Sequence, residues 1–134
     1  MKKLASAIVC AALILAAAEM ATVEPAEVAA HLSAKPAIFQ VGPNVLFRGH
    51  HIPGAVYAGP ASSAAGLALL KAAVEKLPHD RQIVIYCGCC PWDKCPNVKP
   101  AMAMLQSMGY KNAKAMYLPD NFKSDWIDKG YPVE

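Results

Sequence analysis

One short run of residues limits the possible folds of this chain more than any other feature. Ile83, Val84, Ile85 and Tyr86 follow one another with no charged or amide residue between them. β-Branched and aromatic residues favour strands, and a strand without polar alternation is typical of one covered on both faces. Cys87 comes directly afterwards. The run therefore predicts a central, buried strand that ends at a cysteine.

Strand-like and helix-like segments alternate on both sides of this run. Further strands are expected at residues 37–41, 55–57 and 113–118. Helices are expected at residues 25–32, 62–76, 97–109 and 121–129. Ser62 or Ser63 is a candidate cap for the second helix, and Asn97 for the third. The alternation predicts an α/β domain with a mainly parallel central sheet and helices on both faces, whose site lies at the carboxyl ends of the strands, near Cys87.

The N-terminal residues have the pattern of a bacterial export signal. Lys2 and Lys3 precede an apolar run over residues 4–18, and Ala16 and Ala18 have the small-residue spacing that signal peptidase requires. The run is shorter than the roughly 20 apolar residues of a membrane span. We therefore expect residues 1–18 to be a signal peptide and residues 19–134 to be one domain, periplasmic or secreted, with no stable membrane span after cleavage. An uncleaved anchor is the alternative.

The charge pattern excludes one class of partner. Lysines and arginines are scattered, the formal net charge is only +3, and no basic run of five residues occurs. Nucleic acid is therefore not an expected partner. A mature part of this length has room for one compact domain, and we expect it to be a monomer.

Three segments, in this order, resemble the rhodanese family. Residues 51–55 (His-Ile-Pro-Gly-Ala) are similar to its G-H-I-P-G-A signature, and residues 83–87 resemble the strand that carries its catalytic cysteine. Residues 126–133 (Trp-Ile-Asp-Lys-Gly-Tyr-Pro-Val) resemble its closing W-x-x-x-G-[YL]-P-V. The resemblance implies a rhodanese-like fold and a sulfurtransferase or persulfide carrier. Cys87 would be the nucleophile that moves sulfane sulfur from a small-molecule donor, such as thiosulfate, to a thiol acceptor, without a cofactor.

The departures from the family pattern lie close to the expected site. Gln40-Val41-Gly42 stands where the family usually has Asp-Val-Arg, and His50 replaces a glycine. The loop after Cys87 is longer than usual and contains no arginine. It also lacks the Cys-x5-Arg phosphate cradle of related phosphatases, because the sixth residue after the cysteine is Asp93. Phosphatase activity is therefore not expected, and transfer of the family's activity is less secure than transfer of its fold.

The loop itself supplies the candidate site residues. Cys87, at a strand end that faces a helix N-terminus, is the candidate catalytic thiolate. Gly88, Trp92 and Lys94 are candidates for substrate binding. In this interpretation Trp92 forms a pocket wall, and Lys94 replaces the missing arginine in attracting an anionic donor.

Three more cysteines, Cys89, Cys90 and Cys95, exceed what a simple persulfide carrier needs. They are candidates for tuning or resolving Cys87 by thiol redox chemistry. Structural disulfides, a soft-metal site for copper(I) or zinc, and a non-catalytic binding module are the alternatives. Because adjacent cysteines hardly bridge without strain, we expect a reversible disulfide from Cys95 to Cys89 or Cys90. We expect no bound metal, since two separated C-x-x-C hooks are missing.

Two residues outside the loop are expected to be structural. His51 should fix the turn before Pro53 with a side-chain hydrogen bond, although it or His50 could serve as a metal ligand if the loop folded over it. Trp126 should lie in the core, as the resemblance implies.

Overall fold

The centre of the protein is a five-stranded parallel sheet. The computed structural model describes residues 19–134, so the expected signal peptide lies outside the described residues. The strands are β1 (Thr22–Val23), β2 (Ala37–Gln40), β3 (Val56–Tyr57), β4 (Ile83–Tyr86) and β5 (Ala113–Met116). Their spatial order is β1-β5-β4-β2-β3. The predicted parallel α/β architecture is confirmed, and β4 is the middle strand.

Helices connect these strands across the two faces of the sheet. They are α1 (Pro25–Ala30), α2 (Asn44–Gly49), α3 (Ala64–Val74) and α4 (Val98–Ser107). The expected last helix is observed as a π-helical segment, Lys123–Ile127, called here the C-terminal helix. Short 3-10 turns occupy Leu32–Ala34 and Trp92–Lys94. Within residues 19–134, no helix has the length and apolarity required to cross a membrane.

The middle strand is covered on both faces, as its sequence predicts. Ile83 and Ile85, 1% and 0% exposed, belong to the core that includes residues of α3 and α4. Tyr86, 1% exposed, belongs to the opposite core with the fully buried Trp126. The Trp126 indole N–H donates to the Pro132 carbonyl at 2.8 Å, so its polar atom is satisfied. Full burial of each such side chain stabilises the fold by about 1.5–3 kcal/mol, and the predicted core position of Trp126 is confirmed.

His51 has the structural role expected of it. Its Nδ1 donates to the Phe47 carbonyl at 2.8 Å, and its ring stacks on the Phe47 ring at a centroid distance of 3.9 Å. Its Nε2 lies 3.2 Å from a carboxylate oxygen of Glu134. These contacts tie the end of α2 to the C-terminal residue of the chain.

Candidate functional site at the end of the middle strand

Cys87 lies directly after β4, at the carboxyl edge of the sheet. Since side chains alternate along a strand, its side chain follows Ile83 and Ile85 onto the face covered by α3 and α4. The residue is only 3% exposed. The fold therefore delivers a buried thiol to the edge where parallel sheets bind their ligands.

Asn97 makes the closest side-chain amide contact to this thiol. Its Nδ2 donates to Cys87 Sγ at 3.2 Å, and its Oδ1 accepts from the Ser62 backbone N–H at 2.9 Å. The expected cap of α4 by Asn97 was wrong, because this residue occupies the N-cap position but makes no side-chain cap bond. The buried amide instead satisfies both of its ends across the loop. The predicted cap of α3 is confirmed, because Ser63 Oγ accepts from the Gly66 N–H at 3.0 Å.

Two residues of the Gln40-Val41-Gly42 segment also hold Cys87, and the sequence analysis gave them no role in the site. Gln40 Nε2, in a side chain 1% exposed, donates to the Cys87 carbonyl at 3.0 Å. A Cβ added at Gly42 would lie 2.6 Å from that carbonyl oxygen and 2.8 Å from Cys87 Sγ. An amide can donate to a carbonyl where a carboxylate cannot, so this departure from the family pattern suits the altered loop. The replacement of the family's Asp-Val-Arg by Gln40-Val41-Gly42 was the sequence signal that could have indicated these contacts.

The loop contains one disulfide, between the adjacent residues Cys89 and Cys90. Cys87 and Cys95 are free thiols. The expected bridge from Cys95 to Cys89 or Cys90 is therefore wrong for this structure. The sulfur of Cys95 has a different environment, because the Cys87 thiol and the backbone N–H groups of Asn97 and Val98 favour its charged form and lower its pKa.

The surroundings of the two free thiols shift their pKa values in opposite directions. The Cys87 hydrogen bond, followed by the backbone N–H groups of Asn97 and Val98, lowers the pKa of Cys95 from its ordinary value of 9.0 to about 6, against the opposing effect of burial. The same pairing with Cys95, together with burial, raises the pKa of Cys87 far above its ordinary range. From its place at a strand end, Cys87 was expected to be the thiolate stabilised by a helix N-terminus. The structure gives that environment to Cys95, at the N-terminus of α4.

Gly88 allows the chain to turn away from the strand. Its φ of +77° is a left-handed conformation, and an added Cβ would lie 2.7 Å from the Phe122 Cβ. Its carbonyl accepts from the Phe122 N–H at 3.2 Å. The residue therefore packs the loop against the start of the C-terminal helix, while its role in substrate binding stays a prediction.

A small inner cavity lies beside the free thiols. It has a volume of about 10 Å³, and its lining includes Cys87, Cys90, Cys95, Trp92 and Met116. A cavity of this volume has room for about one water-sized atom. Trp92 is thus in place to form a wall, its ring packed edge-on against Tyr117 at 5.1 Å.

A wider outer groove opens on the other side of the loop. It has a volume of about 390 Å³ and is lined by Cys89, His50, Leu46, Phe122 and Lys123, among others. Cys89 and Gly88 connect this groove to the loop. Lys94 lines neither space and is exposed in its 3-10 turn. It would therefore attract an anionic sulfur donor only as a solvated charge.

The sulfur atoms of the loop are close enough to act together. Those of Cys87, Cys89, Cys90 and Cys95 all lie within 4.8 Å of one another. Tetrahedral zinc sites use four ligands at about 2.3 Å from the metal when these are thiolates. With Cys89 and Cys90 joined, only two thiols are left. Reduction of the disulfide would be needed before all four could bind a soft ion.

The protein is a parallel α/β domain in which a cysteine ends the middle strand and a helix N-terminus faces that cysteine. This arrangement is typical of α/β proteins that carry a functional thiol. The sequence profile described as the rhodanese-like domain matches residues 24–123. The chain therefore belongs to the rhodanese-like domain family.

Solved structures share this fold. The rhodanese-like domain of an Anabaena protein has a TM-score of 0.62 and 18% identity, over 87% of this chain and 80% of that one. A single-domain sulfurtransferase of Saccharomyces cerevisiae has a TM-score of 0.61 and 19% identity, over 86% and 94%. The 3-mercaptopyruvate sulfotransferase of Escherichia coli has a TM-score of 0.54 and 19% identity, over 78% and 43%. No curated protein sequence matched. At these identities the likeness concerns the fold alone.

Proposed function

We propose that this domain is a sulfurtransferase or persulfide carrier in which Cys87 holds sulfane sulfur between a small-molecule donor and a thiol acceptor. One observation carries the proposal. Cys87, at the end of the middle strand, lines an inner cavity with room for about one more atom. The outer sulfur of a persulfide is one such atom.

The chemistry balances with thiosulfate as the donor. The Cys87 thiolate attacks the outer sulfur of thiosulfate, a new sulfur–sulfur bond forms, and the bond to the sulfonate group breaks. Sulfite leaves with the bonding electron pair. An acceptor thiolate then attacks the outer sulfur of the persulfide, which restores the Cys87 thiolate.

Hydrogen-bond donors around Cys87 suit an anionic sulfur. Asn97 Nδ2 lies 3.2 Å from Cys87 Sγ. The Cys89 backbone N–H and the Asn97 side chain both act to lower the pKa of Cys87, although pairing with Cys95 and burial raise it by more. Such donors stabilise negative charge in a site with little water. Sulfur donors and acceptors would reach the loop from the outer groove, where Lys123 lies. Trp92 would exclude water from the inner cavity.

The expected location is consistent with this chemistry. An exported protein meets an oxidising compartment, in which the Cys89–Cys90 disulfide can persist. We propose that the mature protein works there as a monomer with a sulfur donor and a thiol acceptor as its partners, without nucleic acid and without a cofactor.

Thiosulfate and cyanide test the proposal. The wild type should form thiocyanate, and Cys87→Ser should form none, because no persulfide can form at Cys87. Ser107→Ala is the control, since it removes an exposed hydrogen bond to the Met104 carbonyl near the other end of α4. Loss of turnover in Cys90→Ser but not in Cys87→Ser would show that Cys90, and not Cys87, is the nucleophile. A non-catalytic binding module would give no thiocyanate with any variant.

A further inference from the structure

The free thiols and the disulfide of the loop are arranged for reaction with each other. Cys90 and Cys95 line the same inner cavity, whereas Cys89 lines the outer groove. The sulfurs of all four loop cysteines lie within 4.8 Å of one another. Thiol–disulfide exchange requires a thiolate, a disulfide within reach and a leaving thiol that can be stabilised.

Cys95 meets the first requirement. It is a free thiol three residues before the start of α4, within 4.8 Å of both sulfurs of the disulfide. The nearby Cys87 thiol and the backbone N–H groups of Asn97 and Val98 favour its charged form by lowering its pKa. It therefore carries negative charge close to the disulfide, and the inner cavity connects it to Cys90.

Cys89 meets the last requirement. The Cys87 thiol lies 3.3 Å from Cys89 Sγ and is oriented to donate to it. The single proton of the Cys87 thiol is already within hydrogen-bond distance of Cys89 before the exchange. A departing Cys89 thiolate thus has a proton donor beside it.

We propose that Cys95 opens the Cys89–Cys90 disulfide and that this exchange transfers the thiolate to Cys87. Cys95 Sγ attacks Cys90 Sγ, a Cys90–Cys95 bond forms, and the bond to Cys89 breaks. Cys89 leaves with the bonding electron pair and takes the proton of Cys87.

The step needs no external oxidant or reductant. One disulfide, one thiol and one thiolate are present before and after it, and the negative charge moves from Cys95 to Cys87. Cys95 and Cys90 thereby become catalytic residues that generate the Cys87 nucleophile. The generation of a Cys87 nucleophile for sulfur transfer rests on the proposed function, whereas the exchange itself does not.

Disulfide mapping tests the exchange. The full chain, purified without reductant and kept free of oxygen, is treated with N-ethylmaleimide and digested with trypsin. Cleavage after Arg81 and Lys94 leaves Cys87, Cys89 and Cys90 in residues 82–94 and Cys95 in residues 95–111, because Lys99 precedes a proline. A Cys89–Cys90 bond stays within the first peptide, and a Cys90–Cys95 bond links the two peptides.

We expect wild-type digests to contain the linked peptide pair with maleimide on Cys87 and Cys89. A sample scrambled in guanidinium chloride shows that the linked pair is detectable. In Cys95→Ser the disulfide should stay between Cys89 and Cys90, and Cys89 should carry no maleimide. The linked pair with maleimide on Cys89 and Cys90, its absence from folded wild type, or maleimide on Cys89 in Cys95→Ser would each overturn the exchange.

The same sample separates this inference from the proposed function. Incubation with thiosulfate adds the mass of one sulfur atom to the peptide that contains Cys87 if a persulfide forms. The linked pair without added sulfur would retain the exchange and reject sulfur transfer. Added sulfur without the linked pair would reject the exchange.

Discussion

At the scale of single residues, the site depends on small and amide side chains close to Cys87. Gly42 leaves room for its carbonyl and sulfur, Gln40 donates to the same carbonyl, and Asn97 donates to the sulfur. None of the three carries a charge. The thiol is therefore held by shape and by hydrogen bonds, where the family pattern would place an aspartate and an arginine.

Gly42→Ala should destabilise the protein and disturb the site. The added Cβ would lie 2.6 Å from the Cys87 carbonyl oxygen and 2.8 Å from its sulfur, so the loop must shift. Overpacking of this kind costs about 1–3 kcal/mol. Gly49→Ala is the matched control, because its Cβ would meet nothing within 4 Å and alanine favours the helix α2. Urea unfolding and the labelling rate of Cys87 measure both effects. Equal stability of the two variants would contradict the close approach at Gly42.

At the scale of elements, the sequence was sufficient for the middle strand and for the two strands beside it, β2 and β5, but not for β1 and α2. An apolar run such as Ile83–Tyr86 can be covered only from both sides, so its place in the fold follows from local pattern. β1 and α2, with 2 and 6 residues, were missed, whereas α1, of the same length as α2, was predicted because a proline marks its first turn.

The side-chain contacts of the site could not be predicted for a different reason. Gln40 and Cys87 are 47 residues apart, and Asn97 reaches Cys87 and Ser62 only after α4 has packed. The local preference of asparagine for helix N-termini predicted a cap at Asn97, but tertiary contacts determined its hydrogen-bond partners. Likewise, the four cysteines identified the loop, but their pairing depends on where the Trp92–Lys94 turn places Cys95.

The Cys87 thiol, together with the N-terminus of α4, predicts a pH dependence for Cys95. With its pKa lowered to about 6, Cys95 should react with iodoacetamide at a rate that rises as pH increases through about 6 and falls below it. Because the folded pKa lies below the unfolded value, the thiolate's contribution to stability is absent in acid, grows above pH 6 and is complete above the ordinary thiol pKa. The raised pKa of Cys87 has the opposite effect on stability: it destabilises the folded protein, and only at pH values above the ordinary thiol pKa.

Labelling rates of Cys95 across pH, read by mass spectrometry, test this assignment. Cys87→Ser should raise the midpoint, since the Cys87 hydrogen bond is the largest cause of the lowered pKa of Cys95. A wild-type midpoint near the ordinary thiol value, or a midpoint that Cys87→Ser leaves unchanged, would contradict the proposed division of charge.

At the scale of the whole molecule, we expect the working protein to begin at Glu19 after export. Cleavage after Ala18 removes the apolar run but retains β1, whose Thr22 and Val23 pair with β5 and extend the sheet. The intact mass of protein from the periplasm or medium should correspond to residues 19–134 with one disulfide, and reduction should add two hydrogens. Ala18→Arg should block processing, because signal peptidase needs small residues at this position, whereas Ala12→Leu, within the apolar run, should not. A mature mass that includes residues 1–18 would instead indicate a retained anchor, with the same domain held at the membrane.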